Sequence, residues 1–216
     1  MKLYELTLSP FAARVRLALR LKGVACEMEP PQGGSTRSPE HLALNPIGKI
    51  PVLVTDEGLA IAESETIIDY LEDTFPAPSL TPQGPALRAQ MRNAIRTFEL
   101  YAYPALTRLF GQLNPATRDA AVVAAEVAQC RAGLALTEKF VDDATFAVGG
   151  APSKADCMLL PSLLLCDVIA GMLGIEDMLS GCPQLASYRA KARQHPEMGA
   201  VWDETSAALQ ARAGGG

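Results

Sequence analysis

The chain has 216 residues and a formal net charge of −5 without a basic stripe, which excludes nucleic acid as its main partner. At 49% apolar and 20% charged it has the balance of a soluble globular protein, and no apolar run reaches the length needed to cross a bilayer. Its five cysteines (Cys26, Cys130, Cys157, Cys166 and Cys182) are widely spaced, and His41 and His195 are the only histidines, which leaves no evident metal site. An early acidic residue, Glu5, and the lack of a signal-peptide core point to a cytoplasmic protein with no membrane partner.

Leu3, Leu6 and Leu8 mark a short extended run, the expected first strand. Ser9-Pro10 then supplies an N-cap and a proline at the first helical position, predicting a helix from about Phe11 to Lys22. Arg20 and Lys22 suit its last turn, and Gly23 suits the position just past its end. Ala25 to Glu29 reads as a second strand, Pro30 to Ser38 as a loop, and Pro39 to Leu44 as a short helix. Pro51 to Thr55 and Leu59 to Ala62 are apolar strands joined by the turn Asp56-Glu57-Gly58. Ile67, Ile68, Leu71 and Phe75 line one face of the next helix. The order is β-α-β followed by ββα.

Pro76 to Pro85 is rich in proline and reads as a linker, and everything beyond it reads as helix. A long helix is expected from about Pro85 to Gln112, bent at Pro104. Asn114-Pro115 repeats the cap-plus-proline start, predicting a helix to about Val141. Ser153-Lys154-Ala155-Asp156 is a capping box that opens a very apolar helix, and shorter helices follow Pro183 and Pro196. The terminal Gly214-Gly215-Gly216 is expected to be disordered. The division is 1–77, a linker at 78–85, and an all-helical part at 86–216.

Three segments carry residues suited to a peptide-like anionic ligand. Ser9 lies where a strand gives way to a helix, and free amides and the helix dipole there favour an anion. In Asn45-Pro46-Ile47-Gly48-Lys49-Ile50-Pro51-Val52-Leu53, a cis bond before Pro51 would turn the Ile50 amide and carbonyl outward to pair with an extended ligand. In Glu63-Ser64-Glu65-Thr66, Ser64 opens a helix and suits a carboxylate, while Glu63 suits an ammonium group. Taken singly, each has a plain structural explanation: a helix cap, a proline at a strand start, a cap beside an exposed acid.

In combination they resemble the N-terminal, thioredoxin-like domain of the glutathione S-transferases. Ser9 to Leu19 (SPFAARVRLAL) is similar to the active-site turn and first helix of the tau class, with the zeta and omega classes nearby. Arg37-Ser38-Pro39, Asn45 to Val52 and Glu63-Ser64 follow in the family's order. Ser153 to Asp156 resembles the family's capping box, with Lys154 where a bulkier apolar residue is usual.

The resemblance implies a βαβ-ββα domain followed by an all-helical domain, with glutathione as co-substrate, no metal, and a homodimer. It implies that Ser9 donates a hydrogen bond to the glutathione sulfur. Phe11 would border the tripeptide, and Ile50, beside a cis Pro51, would pair with its cysteinyl unit. Glu63 and Ser64 would hold the γ-glutamyl end, with Lys49 and Arg37 near the glycine carboxylate. Phe11, Ala12, Tyr101 and Tyr103 would contribute to the site of a small hydrophobic electrophile. The implied activity is conjugation in detoxification. The alternatives are a glutathione-dependent isomerase or dehalogenase on the same fold, or a non-catalytic glutathione-binding carrier or regulatory protein. Serine at position 9 disfavours reductase chemistry, because it cannot form the mixed disulfide that a cysteine there would form.

Overall fold

A computed structural model of the protein describes residues 1–214; Gly214, expected to be disordered, is instead the last residue of a helix, and the disorder expected of Gly215 and Gly216 lies outside the described residues. The chain forms two compact units: residues 1–81 together with the segment from Pro196 onward, and residues 82–195. The last helix thus differs from the division read in the sequence, which placed it with the other helices.

The first unit holds a four-stranded sheet in the order β2-β1-β3-β4, built from β1 (Lys2–Tyr4), β2 (Glu27–Glu29), β3 (Val52–Val54) and β4 (Ala60–Ala62). β1 runs parallel to β2 and antiparallel to β3, and β3 runs antiparallel to β4. The helices are α1 (Pro10–Lys22), α2 (Pro39–Leu44) and α3 (Ser64–Thr74). β1 is shorter than expected. Its apolar run continues through Leu6, but the Ser9 amide donates to the Leu6 carbonyl (2.7 Å) and closes a turn that leaves Leu6 and Thr7 exposed.

α1 ends as the sequence predicts, with Gly23 at φ +64° donating its amide to the Arg20 and Leu19 carbonyls. It buries Ala13, Val15, Leu17 and Ala18 completely, with Ile67, Ile68 and Leu71 of α3 in the same core. α9 (Pro196–Gly214) packs on α1. There Arg16 donates to Thr205 Oγ1 (2.7 Å) and Arg20 pairs with Glu204 (2.8 Å), which is why the last helix belongs to this unit. After α3, Glu72 binds Lys22 (2.7 Å) and accepts from the Leu80 and Thr81 amides, so the proline-rich segment is fastened to the first unit up to Thr81.

The second unit is helical: α4 (Pro85–Thr97), α5 (Tyr103–Phe110), α6 (Ala120–Glu138), α7 (Lys154–Leu173) and α8 (Pro183–Ala192). The long helix expected over 85–112 is broken by a π turn at Phe98–Ala102. Proline 104 has no amide to donate, and the chain widens just before it, so that the Tyr103 amide reaches the Phe98 carbonyl five residues back. A Cβ on Gly133 would lie 2.3 Å from the Tyr101 backbone, so glycine is what lets α6 approach this turn.

The expected start of α6 at Asn114-Pro115 is also corrected. Asn114 accepts from Ala116 in a local turn (3.0 Å), and the cap is Asp119, which accepts from Ala121 and Val122. The capping box opens α7 as read, with Asp156 accepting from the Ser153 amide (2.7 Å). The expectation that no stretch reaches bilayer length does not hold for α6 and α7. α6 and α7 are long and apolar enough to cross a membrane by length and composition, because a few polar residues within them interrupt a strict run. Most of α7 is buried as a core helix.

Candidate active site

The register of the sheet gathers the candidate residues. Val52, the first residue of β3, lies opposite Tyr4, the last of β1, and opposite Ala62, the last of β4. The segment after β1 that leads to Ser9, the segment Lys49-Ile50-Pro51 before β3, and the segment Glu63-Ser64 after β4 therefore leave one end of the sheet. Glu29, the last residue of β2, also pairs with Tyr4, and Gln32 beyond it donates to the Tyr4 hydroxyl (2.8 Å). The loop that carries Arg37 thus starts from the same end.

Ser9 caps α1, and its Oγ accepts a hydrogen bond from the Ala12 amide (3.3 Å). Because that bond uses an oxygen lone pair, the hydroxyl proton stays available to a second partner. Ser9 is partly exposed at the positive end of a 13-residue helix. Ala12 is fully buried and contributes its amide. Phe11 is half-buried, and the Arg14 guanidinium stands 4.5 Å over its ring.

The Ser9 turn rests on a buried ion pair. Glu5 and Arg16 are almost wholly buried and meet at 2.5 Å, and Arg16 also donates to the Thr7 carbonyl (2.9 Å), two residues before the serine. Burial pulls the Arg16 pKa down, with Glu5 opposing the shift. Sequence reasoning gave neither residue this role: Glu5 was read only as an early acidic residue, and the signal was a charged residue, Arg16, among the apolar residues of α1.

The Ile50–Pro51 peptide is cis, Pro51 is buried, and Ile50 is half-buried. Lys49 and Arg37 are exposed. Gly48 has φ +65°, and a Cβ there would lie 2.8 Å from Arg37 Nη1 and 3.1 Å from the Thr36 carbonyl, so the Arg37 guanidinium lies against the backbone next to Lys49. Glu63 is exposed at φ +66°, the one non-glycine residue with positive φ among the described residues. That conformation costs roughly 1–3 kcal/mol and is characteristic of ligand-holding positions. Ser64 follows, buried at the first position of α3. Tyr101 is exposed in the π turn and Tyr103 half-buried at the start of α5, both in the second unit.

Sequence reasoning also passed over His41, which is fully buried. His41 Nε2 and Asn45 Nδ2 each lie 2.9 Å from the Lys49 carbonyl oxygen. The two residues are four apart at the end of one helix, a spacing that places them on one face. Among the described residues, no cluster of three or more His, Cys, Asp or Glu side chains is arranged to hold a metal ion.

A family model described as the glutathione S-transferase N-terminal domain matches residues 3–79. A maleylacetoacetate isomerase of Pseudomonas aeruginosa is 33% identical over 91% of this chain and 96% of its own length. The chain belongs to the glutathione S-transferase family. A probable glutathione S-transferase of Zea mays is 36% identical over 94% of this chain and 90% of its own. The crystal structure of a glutathione S-transferase from Rhodospirillum rubrum superposes with a TM-score of 0.74 at 27% identity, covering 93% of this chain and 90% of that one. The transferase therefore has the thioredoxin-like domain and helical domain that its sequence implied, and glutathione is its co-substrate.

Proposed function

We propose that this transferase holds glutathione along the end of the sheet where Ser9, Ile50 and Ser64 emerge, and that the Ser9 hydroxyl donates to the glutathione sulfur and stabilises its thiolate. The observation that carries this reading is the Ser9 hydroxyl itself. Its oxygen is engaged by the Ala12 amide at the mouth of α1, and its proton is left to donate. A cysteine thiol ionises near ~8.5, and bringing it below about 7 requires roughly 2 kcal/mol. A hydrogen bond to a charged acceptor contributes about 1.5–3 kcal/mol, and a helix N-terminus adds roughly 0.3–1 kcal/mol. The two together suffice without a general base.

In the rest of the reading, Ile50 pairs through its backbone with the cysteinyl unit and Glu63 and Ser64 take the γ-glutamyl end. Arg37 and Lys49 attract the glycine carboxylate, in keeping with two exposed cations in adjacent loops. Phe11 and Ala12, at the start of α1, contribute to the electrophile site. The thiolate attacks an electrophilic carbon, and the leaving group departs with the displaced electron pair. The protein acts as a cytoplasmic homodimer.

A second reading is favoured by relatives named maleylacetoacetate isomerase, from Pseudomonas aeruginosa and from Rattus norvegicus. On that reading the same thiolate adds to a cis double bond conjugated to a carbonyl, the resulting single bond rotates, and expulsion of the thiolate leaves the trans product and intact glutathione. Glutathione titration with and without an aromatic halide and a cis-enoyl acid tests both. Consumption of glutathione marks conjugation, and geometric isomerisation without consumption marks the second activity. Failure to bind glutathione would refute both.

A further inference from the structure

We infer that His41 is a positioning residue for glutathione: it fixes the Lys49–Ile50 peptide plane and so aims the Ile50 amide at the ligand. The inference rests on the glutathione-binding reading above and names a residue that this reading does not use. A carbonyl oxygen only accepts, so the ring nitrogen 2.9 Å from the Lys49 oxygen, Nε2, must carry the proton. The Asn45 side-chain amide fills the second lone pair of that oxygen from 2.9 Å. The Lys49 carbonyl is thereby held toward two buried side chains, His41 with none of its surface exposed and Asn45 at 1%. The Lys49–Ile50 peptide is trans, so its N–H points opposite to its C=O. Holding the carbonyl inward therefore turns the Ile50 amide outward, beside Pro51, where an extended ligand adds as a strand.

Two further observations set His41 apart from an ordinary core residue. Its Nδ1 is buried and has no hydrogen-bond partner among the described residues. A buried imidazole with one nitrogen unsatisfied is a costly way to fill space, so the position is explained by what the other nitrogen does. The loop between Asn45 and Lys49 is itself closed tightly. Asn45 Oδ1 accepts from the Ile47 amide (3.1 Å) and the Asn45 carbonyl accepts from the Gly48 amide (2.9 Å). With the loop closed on Asn45, the orientation of the next peptide depends on the donors at Lys49. Lys49 contributes here through its carbonyl, while its exposed ammonium remains free for the ligand's carboxylate.

The test uses three substitutions in the full-length protein, read by steady-state kinetics with varied glutathione and by calorimetric titration of glutathione. Glutamine places an amide N–H close to the position of Nε2, asparagine is too short to reach the Lys49 oxygen, and leucine fills space without donating. His41→Leu and His41→Asn are expected to raise the glutathione KM and Kd about tenfold, the loss of one hydrogen bond's orienting effect, with kcat at saturating glutathione and the electrophile KM within twofold of wild type. His41→Gln is expected to stay within threefold of wild type. If His41→Leu does not fold, the glutamine and asparagine variants decide, and equal glutathione KM values in those two would overturn the inference. It is also overturned if folded His41→Leu keeps the wild-type KM, or if all three variants lose kcat and KM together in proportion to a lowered Tm, the pattern of a packing role. Wild-type protein that shows no glutathione binding would instead bring down the reading of the whole site.

Discussion

Ser9 carries two bonds in this account, and they can be separated. Its oxygen accepts from the Ala12 amide at 3.3 Å, which caps α1, and its proton is assigned to the glutathione sulfur. Ser9→Ala removes both. Loss of the cap costs about 1 kcal/mol, which for a chain of this size lowers Tm by roughly 2–4 °C. Loss of the charge-assisted bond costs about 1.5–3 kcal/mol, which lowers kcat about 10- to 150-fold. Ser9→Asp keeps an acceptor for the Ala12 amide and adds a negative charge at the helix N-terminus, so its Tm stays at or above that of wild type. It has no proton to donate at neutral pH, and its charge opposes a neighbouring thiolate, so its kcat falls at least as far as that of the alanine variant. Thermal unfolding and steady-state conjugation of the three proteins give the comparison. Wild-type turnover in Ser9→Asp, or losses of activity that track Tm across the series, would refute the division of labour.

Arg16→Met leaves Glu5 buried without its partner and takes a donor from the Thr7 carbonyl; a loss of about 3–5 kcal/mol in urea unfolding is expected, much of it recovered in the Glu5→Gln/Arg16→Met double variant. A loss below about 1 kcal/mol would mean the pair does not support the Ser9 turn. Asp156 is fully buried, and desolvation pushes its pKa up to about 6 from an ordinary 3.8, against four donors from Ala147, Ser153 and Tyr188. The folded state thus holds this proton more tightly than the unfolded chain, so its effect on stability is most favourable below about pH 4, declines as pH rises toward about 6, and is level above that. The stability of wild type relative to Asp156→Asn should therefore fall by roughly 3 kcal/mol across that window, and parallel pH curves for the two proteins would contradict it.

How far the sequence could be read depended on whether the determining interaction was local. Caps and glycine stops are local, so α1 with Ser9, Pro10 and Gly23, and α7 with its capping box, lie where they were expected. The Asn114-Pro115 start went wrong because Asn114 caps a turn just as well as a helix, and only the chain beyond it shows that Asp119 takes the helix. The bend expected at Pro104 became a π turn ahead of it, a form that the identity of the proline does not specify. The helix from Pro196 left the helical unit for the first because Arg16 and Arg20 reach Thr205 and Glu204 across more than 180 residues of chain, a relation no window of sequence contains. The site divides in the same way. Ser9, Pro51 and Ser64 sit in short local motifs, a helix cap, a cis proline and a helix start, so their places in the fold were legible. His41 and Asn45 bond the Lys49 carbonyl, and Arg16, paired with Glu5, bonds the Thr7 carbonyl; the direction of those carbonyls is known only after folding.

The most direct test of the central claim is the ionisation of glutathione bound to the protein, followed by the ultraviolet absorbance of its thiolate as pH is varied. The account predicts that the thiol on wild-type protein titrates at or below about 7, and that on Ser9→Ala it moves back toward the ~8.5 of a free cysteine thiol. A bound thiol that titrates like free glutathione on wild type, or at the same pH on both proteins, would contradict it.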